Sequence, residues 1–409
     1  GKGAKDVYFE ESGAFGTPGL LKGSYAASED CVKDGEIKTG MITIFGTSGD
    51  MEGGTADYAE MFSNPKRFSL LPVENIWEDD IKLKGYVGFF HPVNANMPGF
   101  IDAQGNSDFK GAKDMILSQR QVLIDSGATT MDIQQKMQEK PLNPTEAFSY
   151  TNINIFPALE LKRQKDIVVA NNWQNLKGQP VIMYRDPETN KVVSEPDLKN
   201  KLEPITSIDH VGSLSGCPVI YEYPVSNAPK GLYKIGYDPV RQDQGTSLAA
   251  IIVYKGTMPG EYTSECIVAE YIGRKETPDD VHLIAELFAE LYNTQVMYEN
   301  EVPDVKTYFQ RRKLLHLLAL QPDAVISKSV KNSKVSRVFG CHMTEQLKDS
   351  GARYIKQWLT EVQDFDEHGN PITSISRIYS LRLLEELLTW NKKGNFDLVS
   401  ALIMCMFQV

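Results

Sequence analysis

Apolar and polar positions along the chain change their spacing at several points, and each change marks an element. Val7–Phe9 is a short apolar run that ends in two acids, Glu10 and Glu11. Met41–Phe45 is a second, running into Gly46, Thr47, Ser48, Gly49 and Asp50, so a buried strand is expected to open into a glycine-rich loop. Strands with loops at their carboxyl ends indicate part of an α/β sheet. Between Phe89 and Phe156 the sequence is rich in Pro, Asn and Gln, with helical spacing near 108–125 and 131–139, which predicts peripheral helices and loops. The stretch from Trp173 to Lys230 is rich in Pro and Gly with little periodicity, and reads as a connection or a small β-rich subdomain.

The clearest patterning begins at Leu232. Leu232–Tyr237, Ser247–Tyr254 and Cys266–Ile272 read as three strands of an antiparallel meander. The period then changes from two to about 3.6: Thr277 supplies a capping hydroxyl, Pro278 the first helical residue, Asp279 and Asp280 first-turn acids. Val281, Ile284, Leu287, Phe288 and Leu291 follow at helical spacing. Gln295–Tyr298 is a fourth strand, and a further helix is expected from Asp304 to Leu320. The order βββαβα is the ribonuclease H topology. The expected fold class is therefore α/β, a ribonuclease H-like βββαβα domain preceded by an α/β segment. The boundary is placed between 172 and 173, dividing the chain into 1–172 and 173–409.

Composition narrows the function classes. The 409 residues are 41% hydrophobic and 24% charged, a globular balance sufficient for more than one domain. Forty-three basic against fifty-four acidic residues give a formal charge of −11, so nucleic-acid binding requires a local basic face. Five dispersed cysteines without CxxC spacing argue against a zinc cluster or a disulfide framework and fit a reducing cytoplasm. No apolar run reaches the roughly 18 residues a membrane span needs, and no signal-peptide core is found, so no membrane association is expected.

Three acids stand at informative places. Asp238, followed by Pro239 and Val240, ends the first meander strand, where its carboxylate can face a metal; an Asp-Pro turn between hairpin strands is the plainer alternative. Glu299, in Val296–Asn300, ends the fourth strand similarly, and on its own is equally a solvated strand-end acid. Asp397, in Gly394–Ala401, opens the last apolar helix, where any acid is favoured by the helix dipole. Adjacent first and fourth strands would bring Asp238 and Glu299 together, and the terminal helix would add Asp397. Clustered carboxylates repel unless cations neutralise them, and hard oxygen donors select Mg²⁺ or Mn²⁺. Two such ions about 4 Å apart can activate water and stabilise the leaving oxygen of a phosphodiester. Asp243 is a further candidate metal ligand or a plain loop acid.

Lys328, Lys331, Lys334 and Arg337 recur every third residue, with Arg311, Arg312 and Lys313 upstream; they are candidates for holding a DNA backbone, or a solvated charged face. Val7–Glu11 has the form of a Walker B strand, an acid for Mg²⁺ followed by one that orients water. No GxxxxGK[ST] occurs, so ATP hydrolysis is not expected of this chain.

Together these residues resemble the large subunit of tailed-bacteriophage terminase, the DNA-packaging motor, in which a P-loop ATPase precedes a nuclease of ribonuclease H fold. The resemblance extends over essentially the whole chain. Glu10 and Glu11 match the Walker B position, although Asp is commoner where Glu10 stands; Thr43–Gly49 is similar to the coupling motif; Pro141–Phe148 resembles the segment that closes the ATPase half. Asp238, Glu299 and Asp397 fall on the nuclease acids in contexts close to the family pattern (GYDP, MYEN, FDLVSAL), the most specific of these matches. The resemblance implies a two-metal endonuclease cleaving concatemeric viral duplex DNA, with Asp238, Glu299 and Asp397 catalytic and, with Asp243, metal-binding. It implies a portal protein and a small terminase subunit as partners, two Mg²⁺ or Mn²⁺ ions as cofactors, and ATP only in an intact full-length protein. The location implied is the cytoplasm of the infected bacterial host, transiently at the capsid portal. Because the sequence starts just before Walker B, Glu10 and Glu11 are expected to be vestigial and the chain a truncated or processed fragment. Two alternatives stand beside this. Asp238–Ser247 also resembles the phosphate-binding hairpin of actin-like ATPases and sugar kinases, a reading that requires a second such hairpin, and none is found. The acids can also be structural within a docking module of the packaging motor.

Overall fold

The computed structural model describes all residues except 1–2, 18, 36, 49–54, 79–82, 129, 149–153, 172–177, 200, 241–246, 258–263, 302–303, 323–337, 366–370 and 392–393. The chain folds into two compact units, one of residues 1–154 and 158–170, the other of 155–157 and 171–409.

In the first unit, strand β1 (Asp6–Phe9) pairs in parallel with β2 (Met41–Ile44), in the register Asp6 with Met41 through Phe9 with Ile44. Helix α1 (Leu20–Glu29) lies between them in sequence and supplies Leu21 and Tyr25 to a small core with Met61 of α2 (Thr55–Ser63). A parallel pair needs a crossover, and α1 occupies that connection. Helices α3 (Phe109–Asp125) and α4 (Thr130–Glu139) fall where the helical spacing predicts them. Helix α5 (Ala158–Ala170) ends this unit.

In the second unit, seven strands among the described residues form one mixed sheet. They are β3 (Gln179–Arg185), β4 (Val192–Pro196), β5 (Val219–Ile220), β6 (Tyr233–Asp238), β7 (Ala249–Lys255), β8 (Cys266–Gly273) and β9 (Val296–Tyr298), in the spatial order β9-β6-β7-β8-β5-β3-β4. β6, β7 and β8 are consecutive antiparallel neighbours, and β9 returns parallel to β6 with Tyr237 opposite Tyr298. These are the order and directions expected of the ribonuclease H topology. The crossover between β8 and β9 is α6 (Pro278–Leu291). Thr277 and Asp280 form a reciprocal capping box at its start, as the sequence predicts.

Two expectations are corrected. The described part of the 173–230 stretch is β-rich, as one of its two readings has it, but β3, β4 and β5 extend the main sheet beyond β8 rather than form a connection or a small subdomain of their own. The Pro and Gly residues obscured these strands by breaking them into short runs. The helix expected over Asp304–Leu320 is α7 (Asp304–Arg311) and stops there. Lys313 adopts φ 62°, and the Leu314 amide donates back to the Phe309 carbonyl at 2.8 Å, so the chain turns out of the helix. The leucines that prolong the helical spacing go instead into a turn at Leu315–Leu317 and an extended piece in which the Ala319 amide donates to Val296 of β9.

Alternation along β6 assigns the two faces of the sheet. Tyr233, Ile235 and Tyr237 point into the core beneath α6, where the Tyr237 hydroxyl meets Nδ1 of His282 at 2.7 Å. Lys234, Gly236 and Asp238 therefore share the opposite face, which is covered by the C-terminal helix. Among the described residues this part of the chain also holds α8 (Glu345–Thr360), α9 (Leu381–Thr389) and α10 (Asp397–Met406). α10 is buried on nearly every side, from Leu398 to Met406. Its seat on β6 depends on Gly236. A Cβ there would stand 1.8 Å from the Ala401 carbonyl oxygen, so only glycine lets the helix backbone approach the strand so closely.

Candidate active site

Asp238 is the last residue of β6, on the face covered by α10. Register places Glu299 beside it. Tyr237 pairs with Tyr298, and the Glu299 amide donates to the Tyr237 carbonyl at 3.1 Å, so the residues after each pair stand together at the carboxyl ends of two parallel strands. Their carboxyl groups stand close enough for one, when protonated, to share its proton with the other. Asp397 is the first residue of α10 and only 3% exposed; its Oδ2 accepts from the Leu248 amide at 3.1 Å. Asn395 steadies the same carboxylate, and its Nδ2 donates to the Ser247 hydroxyl at 2.9 Å. β6, β9 and α10 thus bring three acids 61 to 159 residues apart in sequence to one end of the sheet.

Their electrostatics show that the grouping is costly in the absence of a counter-charge. Loss of water around its carboxyl is the main reason the Asp238 pKa lies well above the usual carboxylate range; the negative charges of Glu299 and then Asp397 add to it. Glu299 is raised chiefly by burial, opposed by the positive charge of Lys348 on α8. Asp397 is also raised by burial, against the Leu248 amide and the positive charge of Arg382. Asp238 is the middle member, since both other acids act on it.

The donor set suits a hard divalent cation in part. Among the described residues no group of three or more His, Cys, Asp or Glu side chains is gathered closely enough to hold a metal ion as it stands. Mg²⁺, however, commonly takes only one or two protein carboxylates and completes its shell with water and substrate phosphates. The adjacent, mutually repelling oxygens of Asp238 and Glu299 meet that requirement.

Asp243 and the basic set Lys328, Lys331, Lys334 and Arg337 lie outside the described residues. Arg311 and Arg312 are engaged elsewhere, Arg311 with Asp279 and Arg312 with the buried Glu286 at 2.7 Å. In the first unit, Glu10 and Glu11 are exposed at the carboxyl end of β1, with Glu11 at φ 49°. Pro144–Ala147 within the 141–148 segment forms a short helical turn capped by the Asn143 side chain.

Sequence reading missed Lys348, Asn395 and Glu386. Glu386 was open to detection, since it lies three residues after Leu383 and immediately before Leu387 on the apolar stripe of α9, where an unpaired charge is not tolerated. Nothing local marks Lys348, an exposed residue of a helix distant in sequence.

Comparison with protein families finds no matching model, and comparison with curated proteins finds no match. Among solved structures, the chain is similar to the large terminase nuclease from thermophilic phage G20c with bound zinc, at 15% identity over 49% of this chain and 91% of that one, with a TM-score of 0.29. A second structure of that nuclease gives 15% identity, the same coverage and a TM-score of 0.26. The magnesium-bound form gives 14% identity over 50% of this chain and 91% of that one, with a TM-score of 0.25. Strand order and the placement of the acids, rather than these likenesses, carry the functional reading. Among the described residues no helix is long and apolar enough to cross a membrane.

Proposed function

We propose that the second unit is a metal-dependent endonuclease of the terminase large-subunit type, which hydrolyses duplex DNA with little sequence preference. The observation that carries this reading is the convergence of Asp238, Glu299 and Asp397 at one end of the β6–β9 pair, with proton affinities raised by burial and, at Asp238, by the other two acids. Asp238 and Glu299 would hold a divalent ion, and Asp397 would complete the set for a second. Bound there, Mg²⁺ or Mn²⁺ supplies positive charge that makes water a better nucleophile and neutralises a phosphodiester. The protein's own groups set the conditions. The Leu248 amide and Asn395 keep the Asp397 carboxylate in one orientation. Lys348 lends positive charge that favours the ionised forms of Asp238 and Glu299 at neutral pH and attracts a phosphate. A carboxylate with raised proton affinity also serves as a base toward water.

In this reading the substrate is concatemeric viral DNA cut during packaging, in the cytoplasm of an infected bacterium and transiently at the capsid portal. The partners are a portal protein and a small terminase subunit, and Asp243 and the 328–337 basic residues contribute metal and backbone contacts. Glu10 and Glu11, at the carboxyl end of β1, would stand where an ATPase of this type carries its Walker B acids.

Plasmid cleavage in Mn²⁺ tests the proposal. Asp238→Asn and Glu299→Gln should each lower the rate by at least about 100-fold while leaving the protein folded. Cleavage by both variants at the parental rate would mean that the carboxylates are structural and the unit serves docking instead.

A further inference from the structure

Helix α10 carries Asp397 at its first position, yet the residue before it, Phe396, offers no side-chain cap. The amide of Val399, third in the helix, needs an acceptor, and a capping side chain ordinarily provides it. Here the acceptor comes from another helix. Oε2 of Glu386, on α9, receives the Val399 amide at 3.1 Å. Glu386 is 0% exposed, and its other oxygen accepts from Nε of Arg382 at 2.8 Å. Arg382, itself 7% exposed, is tied in turn by Nη1 to the Ser207 carbonyl at 2.7 Å. The buried charge is therefore paired and hydrogen-bonded, as burial of a carboxylate demands.

The consequence concerns Asp397. An acid at the start of a helix commonly turns to the helix's own amides, which would draw its carboxylate away from the sheet. With Glu386 supplying the acceptor from outside, Asp397 is left to bond Leu248 at the end of the sheet, close enough for its charge to act on Asp238. We propose that Glu386, held by Arg382, is a positioning residue that fixes the first turn of α10 and so holds Asp397 beside Asp238 for metal binding. This rests on the nuclease reading of the three acids.

The experiment measures Mn²⁺ binding by electron paramagnetic resonance on the full 409-residue chain, alongside melting temperature and exchange of the Val399 amide. Glu386→Ala removes the acceptor and leaves Arg382 unpaired, so it should also lower the melting temperature. The double substitution Arg382→Met with Glu386→Leu replaces the buried pair by apolar side chains of similar volume and should largely restore stability, since such replacements are often neutral or better. It does not restore the acceptor. Both proteins should weaken Mn²⁺ binding at least about tenfold, the usual effect of losing a residue that orients a ligand, and both should speed Val399 exchange. Glu386→Gln keeps one acceptor and should fall between them and the parent. If the stable double variant binds Mn²⁺ as the parent does while Asp238→Asn abolishes binding, the positioning role is wrong and the metal site stands. If Asp238→Asn leaves Mn²⁺ binding unchanged, both the metal site and the positioning role fall.

Discussion

Gly236 offers the sharpest test of how the site is assembled. A Cβ at this position would stand 1.8 Å from the carbonyl oxygen of Ala401 and 2.9 Å from both its carbonyl carbon and the amide nitrogen of Cys405. Ordinary contact begins near 3.4 Å, so Gly236→Ala requires α10 to withdraw from β6 by about 1.6 Å, the difference between 3.4 and 1.8. The obstructing atoms belong to backbone, so no rotamer change relieves them. Forcing one methyl into a packed core typically costs 1–3 kcal/mol, and a backbone obstruction belongs at the upper end, about 3 kcal/mol. For a unit of this size that corresponds to a melting temperature roughly 6–12 °C lower. The withdrawal also carries Asp397 away from Asp238, and a displacement near 1 Å at a reacting centre can cost about 100-fold in rate. Differential scanning calorimetry gives the first quantity and Mn²⁺-dependent plasmid cleavage at a temperature where the variant is folded gives the second. A Gly236→Ala protein that melts within a degree of the parent would refute the close-approach account of α10.

Two further outcomes follow from the charges. Without divalent ions at pH 8, Asp238→Asn should raise the melting temperature, because it removes the central member of three repelling carboxylates; an unchanged or lower value would mean that the acids do not oppose one another. Glu270 on β8, buried and bonded to the Tyr221 hydroxyl at 2.8 Å, has its pKa pushed up to about 7 by burial. An acid whose folded pKa is raised favours the folded state at low pH, fully below its unfolded value near 4.5, and that contribution is lost as pH rises through 7. Urea denaturation should therefore show stability falling by about 3 kcal/mol between pH 5 and pH 9 on account of this group, and Glu270→Gln should flatten that part of the profile. An identical slope in the variant would assign the pH dependence elsewhere.

The parts of the fold legible in advance were those encoded within a few neighbouring residues. The meander strands and the start of α6 could be located because alternation, a capping hydroxyl and a proline at the first helical position act locally. The helix beginning at Asp304 was overextended because Leu314, Leu315, Leu317 and Leu318 keep an apolar spacing that a helix and a packed turn satisfy equally. Only their burial beside β9 distinguishes the two. The strands between 179 and 220 were hidden for a related reason, since short runs broken by proline show their pairing only when a sheet edge is present to receive them.

At the candidate site the same division holds. Sequence alone singled out Asp238, Glu299 and Asp397, because each ends a strand or opens a helix and those boundaries are written in local pattern. That the three share one end of the sheet was decided by tertiary structure: the register of β9 against β6, and a glycine that admits α10. Glu386 could be noticed as a charge on an apolar stripe, but what it and Lys348 do for the acids belongs to the folded molecule, since that depends on distance through space and neither lies near Asp238 or Glu299 along the chain. Backbone preference acts over a few residues, whereas hydrogen bonds and charges act between whatever the packing brings together.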